Sequence, residues 1–389
     1  MEWWFYLPMI FWCLFVFVTG LLVGSFINVL VARLPYEKSI IWPSSRCFAC
    51  YERVRTLDNI PILGYLRLRG KCRSCHAPFS ARYLWVELAT GLAFLGLFLA
   101  EVVFNRFALP GVKYELFGPG ATPSPRALAV FAYHAALLSG LIAAAVVDAE
   151  HRIIPTQITY TVMAVGIIGG ALMPWPWPNA PQTANAIPPG MPWILPEFEG
   201  KIPIGVQPWP FWGPTFAFAQ PGTWKLGLLT SICGALIGSL IVRATKWLFE
   251  TGFGREALGL GDADLLMMAG AFLGWQIVVM SLFVGSFVSL ALKILEGVLR
   301  EPESKTPSSA TPAGTPVSGP PDARELPFGP GLAIGVVITW FAWPWFGPKI
   351  QFPFFDGIAL GVLGGMTGVG LLAAALFLRR PVEAAPAKS

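Results

Sequence analysis

The sequence predicts an all-α polytopic membrane protein of about nine transmembrane helices, with a small cysteine-bearing lobe between the first two. Three observations carry that reading. Hydrophobic residues make up 55% of the 389 residues and charged residues only 13%, too little charge to coat a soluble protein of this size. Several apolar runs reach the roughly 20 residues that a helix needs to cross the hydrocarbon. Between the first two runs lies a single loop that gathers positive charge and four of the six cysteines.

The apolar runs fall near 9–32, 83–104, 126–147, 155–173, 224–248, 263–299, 328–346 and 356–378. The stretch Ala263–Leu299 is too long for one crossing, and Gly274-Trp275-Gln276 inside it reads as a turn, so it splits into two short helices. The first run, Met9–Ala32, lacks a basic leading segment and is too long for a cleaved signal peptide, which makes it a retained anchor. The loop from Arg33 to Arg82 carries ten Lys or Arg against Glu37, Glu52 and Asp58. Such a loop stays in the cytoplasm. Counting crossings from there places 148–154, 249–262, 300–327 and the tail beginning Arg379-Arg380 on the same face. The net charge of +5 does not call for nucleic acid, because membrane orientation accounts for the basic residues.

Two segments stand apart from the membrane core. Pro174 to Thr223 holds thirteen prolines and five tryptophans, a composition that breaks helices and suits the outer membrane interface. Glu301 to Asp322 is rich in Pro, Ser, Thr and Ala and has too little apolar bulk to fold. The expected organisation is therefore a first helix at 1–35, a cytoplasmic lobe at 36–82, and a membrane core at 83–300 with the outer insertion at 174–223. A disordered linker at 301–326 and C-terminal helices with a basic tail at 327–389 follow.

The cysteines occur as Cys47-x-x-Cys50 and Cys72-x-x-Cys75. Each pair can bend as a knuckle that offers two thiolates, and a tetrahedral ion takes two such knuckles. Four thiolates leave no open position, so the lobe is expected to be a small zinc-binding domain with a structural ion at Cys47, Cys50, Cys72 and Cys75. A reducing cytoplasm argues against disulfides. His76 ranks below the four cysteines as a ligand, while Cys13 and Cys233 lie in apolar helices and read as packing residues.

Acids at the ends of apolar helices are the candidates for chemistry, since a charge at membrane depth costs roughly 3 kcal/mol or more. Asp148 ends the run Leu137–Val147 and precedes Ile154-Pro155, where one helix stops and the next begins. Asp262 follows Gly259-Leu260-Gly261, whose glycines permit close backbone approach. Both fall on the cytoplasmic face in the count above. Two carboxyls that share one site cannot both ionise cheaply, so one keeps a proton while the other takes a proton from water. That water can then attack a peptide carbonyl. Asp264 lies two residues from Asp262 and points elsewhere on a helix. Glu150 and His151 are other titratable groups nearby, and His134 is a lone imidazole in an apolar span, most simply a packed or hydrogen-bonded residue.

The chain resembles the prepilin leader peptidases, bifunctional membrane enzymes of type IV pilus and type II secretion systems. The likeness begins at Gly24-Ser25-Phe26-Ile27-Asn28-Val29 and Arg33-Leu34-Pro35. It runs through the cysteine pairs, Asn59-Ile60-Pro61, Gly70-Lys71, Arg82-Tyr83 and Glu87-Leu88-x-Thr90-Gly91. It resumes at Asp148, Ile154-Pro155, Gly259-x-Gly261-Asp262, Leu265-Leu266 and Gly274-Trp275, and closes at Pro327-Phe328-Gly329-Pro330. The resemblance implies that Asp148 and Asp262 are the catalytic pair of an aspartyl protease of the bacterial inner membrane, acting on its cytoplasmic side. It implies prepilin and pseudopilin substrates, whose basic leader is removed after a glycine, and methylation of the new N-terminal amine by S-adenosylmethionine. No residues for that cofactor follow from the sequence. The chain departs from the family pattern at Asp264, where a lysine is usual, at Thr156 in place of an acid, and in its insertion, linker and ninth span. Other readings are a peptidase without methyl transfer, a proton-coupled transporter, and a zinc-stabilised scaffold.

Overall fold

Long apolar stretches become the helices of one bundle. The computed structural model describes residues 3–106, 121–173, 206–207, 213–214, 218–219, 223–253, 259–299, 328–350 and most of 361–369. In chain order the helices are α1 (Leu7–Arg33), the short α2 (Leu63–Leu68) in the cysteine lobe, α3 (Arg82–Phe98), α4 (Pro125–His151) and α5 (Thr156–Leu172). They continue with α6 (Trp224–Phe253), α7 (Leu260–Leu273), α8 (Trp275–Leu299) and α9 (Phe328–Ile350). A π-helical turn, Leu99–Val103, prolongs α3. Five of these helices are long and apolar enough to cross a membrane, and Thr156–Leu172 and Phe328–Trp343 are shorter apolar helices. The architecture is thus an all-helical, polytopic membrane protein. The only strands among the described residues are the two-residue pair Val206–Gln207 and Gly213–Pro214 within the insertion. The linker 301–326 and most of the predicted span 356–378 lie outside the described residues.

Local chemistry sets the helix ends that matter. Ser124 caps α4, its Oγ accepting from the Ala127 N–H at 3.2 Å, with Pro125 in the first turn. At the other end Arg152 turns into the left-handed region at φ 57° and its N–H donates to the Asp148 carbonyl at 2.9 Å. Pro155, extended at ψ 125°, then starts α5. Gly274, at φ 79°, separates α7 from α8 where the sequence predicts the break. A side chain at that φ would be strained, so glycine permits the reversal.

Beyond its first turns, which carry Asp262 and Asp264, the short helix α7 is apolar and almost wholly buried. Ala263, Leu265, Leu266, Met268, Ala269, Phe272 and Leu273 are at most 1% exposed. They pack with Leu137 and Leu141 of α4 and Trp340 of α9 in one core. Small residues let neighbours close on it: Gly234 of α6 meets Gly270 of α7, the kind of contact that holds helices together in lipid. Because α7 sits at the centre, its first turn ends up among the ends of its neighbours.

Candidate active site and cysteine cluster

That first turn carries Asp262, 8% exposed, and it lies against the last turn of α4, which carries Asp148, 9% exposed. Gly261 packs on the Ile154 side chain just beyond α4, and the two carboxyl groups stand within electrostatic range of each other. The first turn of α9 completes the corner. The Gly329 N–H donates to Asp148 Oδ2 at 3.1 Å, and a Cβ built on Gly329 would stand 2.5 Å from that oxygen. Only a glycine lets the α9 backbone come this close. Pro327-Phe328-Gly329-Pro330 drew attention in the sequence, but the partner of its glycine lies 181 residues away and left no local trace.

The other titratable candidates go elsewhere. Asp264 turns to α6, where Arg243 donates to Oδ1 at 3.2 Å while its Nε reaches Ser239 at 2.9 Å. A cation therefore stands beside position 264, supplied by α6. His134 is not alone: Nδ1 lies 2.5 Å from Oε1 of Glu101 in the π-helical turn, and both residues are 1% exposed. The sequence reading passed over Glu101. An acid inside an apolar span is a signal in itself.

The cysteine lobe folds as two matching knuckles. In the first, the Cys47 N–H donates to Glu52 O at 2.9 Å and the Tyr51 N–H to Cys47 O at 3.0 Å. In the second, the Cys72 N–H donates to Ala77 O at 2.8 Å and the His76 N–H to Cys72 O at 3.1 Å. Tyr51 and His76 hold equivalent left-handed positions, φ 58° and 60°, so His76 is the turn residue that follows its cysteine pair. The four cysteine sulfurs all lie within 4.8 Å of one another. Cys47 and Cys75 are 3.7 Å apart and Cys50 and Cys72 3.9 Å, too long for S–S bonds. Zinc–sulfur bonds near 2.3 Å in a tetrahedron put sulfurs about 3.8 Å apart, so the cluster has the size that ion requires. The backbone N–H groups of Cys50 and Ala49 push the Cys47 thiol down to about 6, toward the thiolate form that binds metal.

The lobe is fastened to the bundle near the carboxylates. Glu87 of α3 accepts the Ile62 N–H at 2.7 Å. Ile62 itself sits at φ 60°, ψ −54°, and the Leu63 N–H reaches Pro61 O at 2.6 Å, a strained three-residue turn that persists only when its surroundings dictate it. Asn28 of α1 donates to Tyr83 O at 3.1 Å. Arg82, first residue of α3, pairs with Glu150, and the Tyr36 ring meets the His151 ring edge-on at 5.6 Å. Both of these contacts reach the turn of α4 that holds Asp148.

Comparison with known proteins agrees with this arrangement. The model of the bacterial peptidase A24 N-terminal domain matches residues 18–100, and that of the type IV leader peptidase family matches residues 204–294. The first match holds the cysteine cluster and the second holds Asp262, while Asp148 lies between them. Curated relatives are named prepilin leader peptidase/N-methyltransferase. The Myxococcus xanthus protein is 32% identical over 281 residues, 72% of this chain and 62% of that protein, so the chain spans under two thirds of that relative. The Stutzerimonas stutzeri protein is 27% identical over 348 residues, 83% of this chain and 89% of the relative. The Pseudomonas aeruginosa protein is 28% identical over 353 residues, 84% of this chain and 88% of the relative. No solved structure matches. Both domain models and these relatives lead to one conclusion: the chain belongs to the type IV leader peptidase family.

Proposed function

We propose that this chain is a membrane aspartyl endopeptidase that cleaves the basic leader from type IV prepilins or pseudopilins at the cytoplasmic face of the bacterial inner membrane. Asp148 and Asp262 are its catalytic pair. The observation that carries the reading is the meeting of three helix ends, of α4, α7 and α9, which brings two carboxyl groups together at one end of the bundle with a backbone N–H on one of them. The Gly329 N–H stabilises negative charge on Asp148 Oδ2, which suits Asp148 to be the carboxylate that takes a proton from water. Asp262 then holds the shared proton, donates it in a hydrogen bond to the scissile carbonyl and later helps the amine leave. A prepilin would present its leader at this end, with its apolar helix in the lipid beside the bundle.

Zinc held by Cys47, Cys50, Cys72 and Cys75 would give the lobe its fold and take no part in hydrolysis, because four thiolates fill its coordination. The relatives' names further support N-methylation of the new terminus, for which S-adenosylmethionine would supply the methyl group. The test is co-expression of a tagged prepilin with wild type, Asp148→Ala and Asp262→Ala. Wild type should remove the leader, and both variants should fail while remaining in the membrane with the lobe's zinc bound. Cleavage by either variant would remove the aspartyl mechanism. A product lacking the increment of about 14 Da for one methyl group would leave a peptidase without methyl transfer.

A further inference from the structure

Residues 39–43 take no part in the cysteine cluster or the carboxylate pair, yet their backbone is held in place from several sides. Arg33, the last residue of α1, grips both ends of this loop: Nη1 donates to Ser39 O at 2.9 Å and Nη2 to Pro43 O at 2.6 Å. Within it, Ser39 Oγ accepts from the N–H groups of Ile41 at 3.4 Å and Trp42 at 3.3 Å, a side-chain turn that fixes the tip. A loop ordered this way ordinarily shows polar side chains to water. This one presents Ile41, 87% exposed, and Trp42, 73% exposed. Large apolar side chains on a preordered backbone mark a contact surface.

Position and charge say what covers it. Arg33 stands where α1 leaves the bilayer, and its guanidinium reaches both ends of the loop, so the tip lies within about one side-chain length of the membrane surface. Tryptophan at that level is an interfacial anchor. Between residues 33 and 46 the charges are Arg33, Lys38 and Arg46 against Glu37 alone, and Lys38 Nζ sits over the Tyr36 ring at 5.3 Å. Cations flanking an apolar tip match the layered chemistry of an anionic leaflet, with phosphates outside and acyl carbons beneath. The same cations disfavour the basic leader of a substrate.

We propose that the 39–43 loop is a lipid wedge. Ile41 and Trp42 enter the headgroup region of the leaflet at which α1 ends, anionic phospholipid gathers at Arg33, Lys38 and Arg46, and the cysteine lobe is thereby held down on the membrane. The inference depends on the membrane placement of α1 and not on the peptidase reading, so either can fail without the other.

The full chain carrying a benzophenone-bearing phenylalanine at position 41 tests it, with the same residue at position 51 as the comparison, since Tyr51 is 72% exposed in the first knuckle. Each protein is placed in vesicles of phosphatidylethanolamine and phosphatidylglycerol, irradiated and digested, and the labelled peptides are weighed. Phospholipid adducts at 41 are expected at about tenfold the yield at 51, falling severalfold when phosphatidylcholine replaces phosphatidylglycerol. Equal lipid yields at the two positions, or a yield at 41 indifferent to the anionic lipid, would overturn the wedge. So would added prepilin capturing position 41 in place of lipid.

Discussion

Two pairs of titratable side chains in the bundle are wired in opposite ways. Glu101 and His134 face each other at 2.5 Å, both 1% exposed, deep among apolar neighbours with Trp340 against the imidazole at 4.9 Å. Asp148 and Asp262 sit at helix ends, and Asp148 Oδ2 accepts from the Gly329 backbone N–H. Buried partners that hydrogen-bond each other away from water become structure. On the proposed reading, the two carboxyls at the helix ends stay available for water and substrate instead. Under that proposal burial alone does not mark the chemistry; the identity of the partner does. A proton-coupled transporter would place its acids along the span; among the described residues the buried acids other than Asp148 and Asp262 are Glu87, Glu101 and Asp264, and each has a partner, the Ile62 N–H, His134 and Arg243 in turn.

Breaking each pair should show the contrast. Asp148→Asn or Asp262→Asn is expected to lower leader cleavage by about 10³-fold or more while leaving thermal stability within roughly 1 kcal/mol, read by single-turnover cleavage beside a melting curve. Glu101→Leu or His134→Leu should do the reverse. Each leaves its partner buried, and should cost roughly 3–5 kcal/mol of stability, whereas the double variant should cost less than the sum, with cleavage per folded molecule unchanged. If the double variant folded well but cleaved poorly, the inner pair would belong to the mechanism.

Smaller effects sharpen the picture at the mouth. Gly329→Ala forces a methyl against Asp148 Oδ2 and should lower kcat about 10- to 100-fold with KM nearly constant, because it disturbs the pair and not the substrate's grip. Arg82→Glu or Glu150→Arg alone should lower activity only a few-fold, as expected of a partly exposed ion pair, and the exchanged double variant should recover it. Within the lobe, Arg73 of the second knuckle binds Asp58 at 2.7 and 2.5 Å and holds its carboxyl below the usual range. That contribution is present above the ordinary carboxylate range and is lost as pH falls through the lowered value. Arg73→Gln should therefore narrow the difference in lobe stability between neutral and acidic pH, measured by zinc retention.

Much of this was legible in sequence because the signals were local. Two Cys-x-x-Cys pairs specify two knuckles by spacing alone, and a glycine inside a run too long for one crossing specifies the break at Gly274. What sequence did not show was the partner of each polar group. Asp264 is an acid on a helix until α6 brings Arg243 to it, His134 is a solitary imidazole until Glu101 arrives from 33 residues away, and Gly329 is a helix start until it touches Asp148. These pairings depend on which faces of distant helices pack together, and a single chain of letters encodes that only through the whole fold.

The break at Gly274 has a consequence for water. Helix α7 has 14 residues, a rise of about 21 Å at 1.5 Å per residue, against a hydrocarbon slab of roughly 30 Å. A rod that short, enclosed by longer neighbours and not by lipid, cannot reach both faces of the bilayer, so at least one of its ends lies at a depth that solvent reaches only by following the protein inward. Asp262 rides on the end of that rod. Hydrolysis inside a membrane is usually framed as bringing water to a greasy place; on the proposed reading, the shortness of one helix brings the carboxyl part of the way to the water.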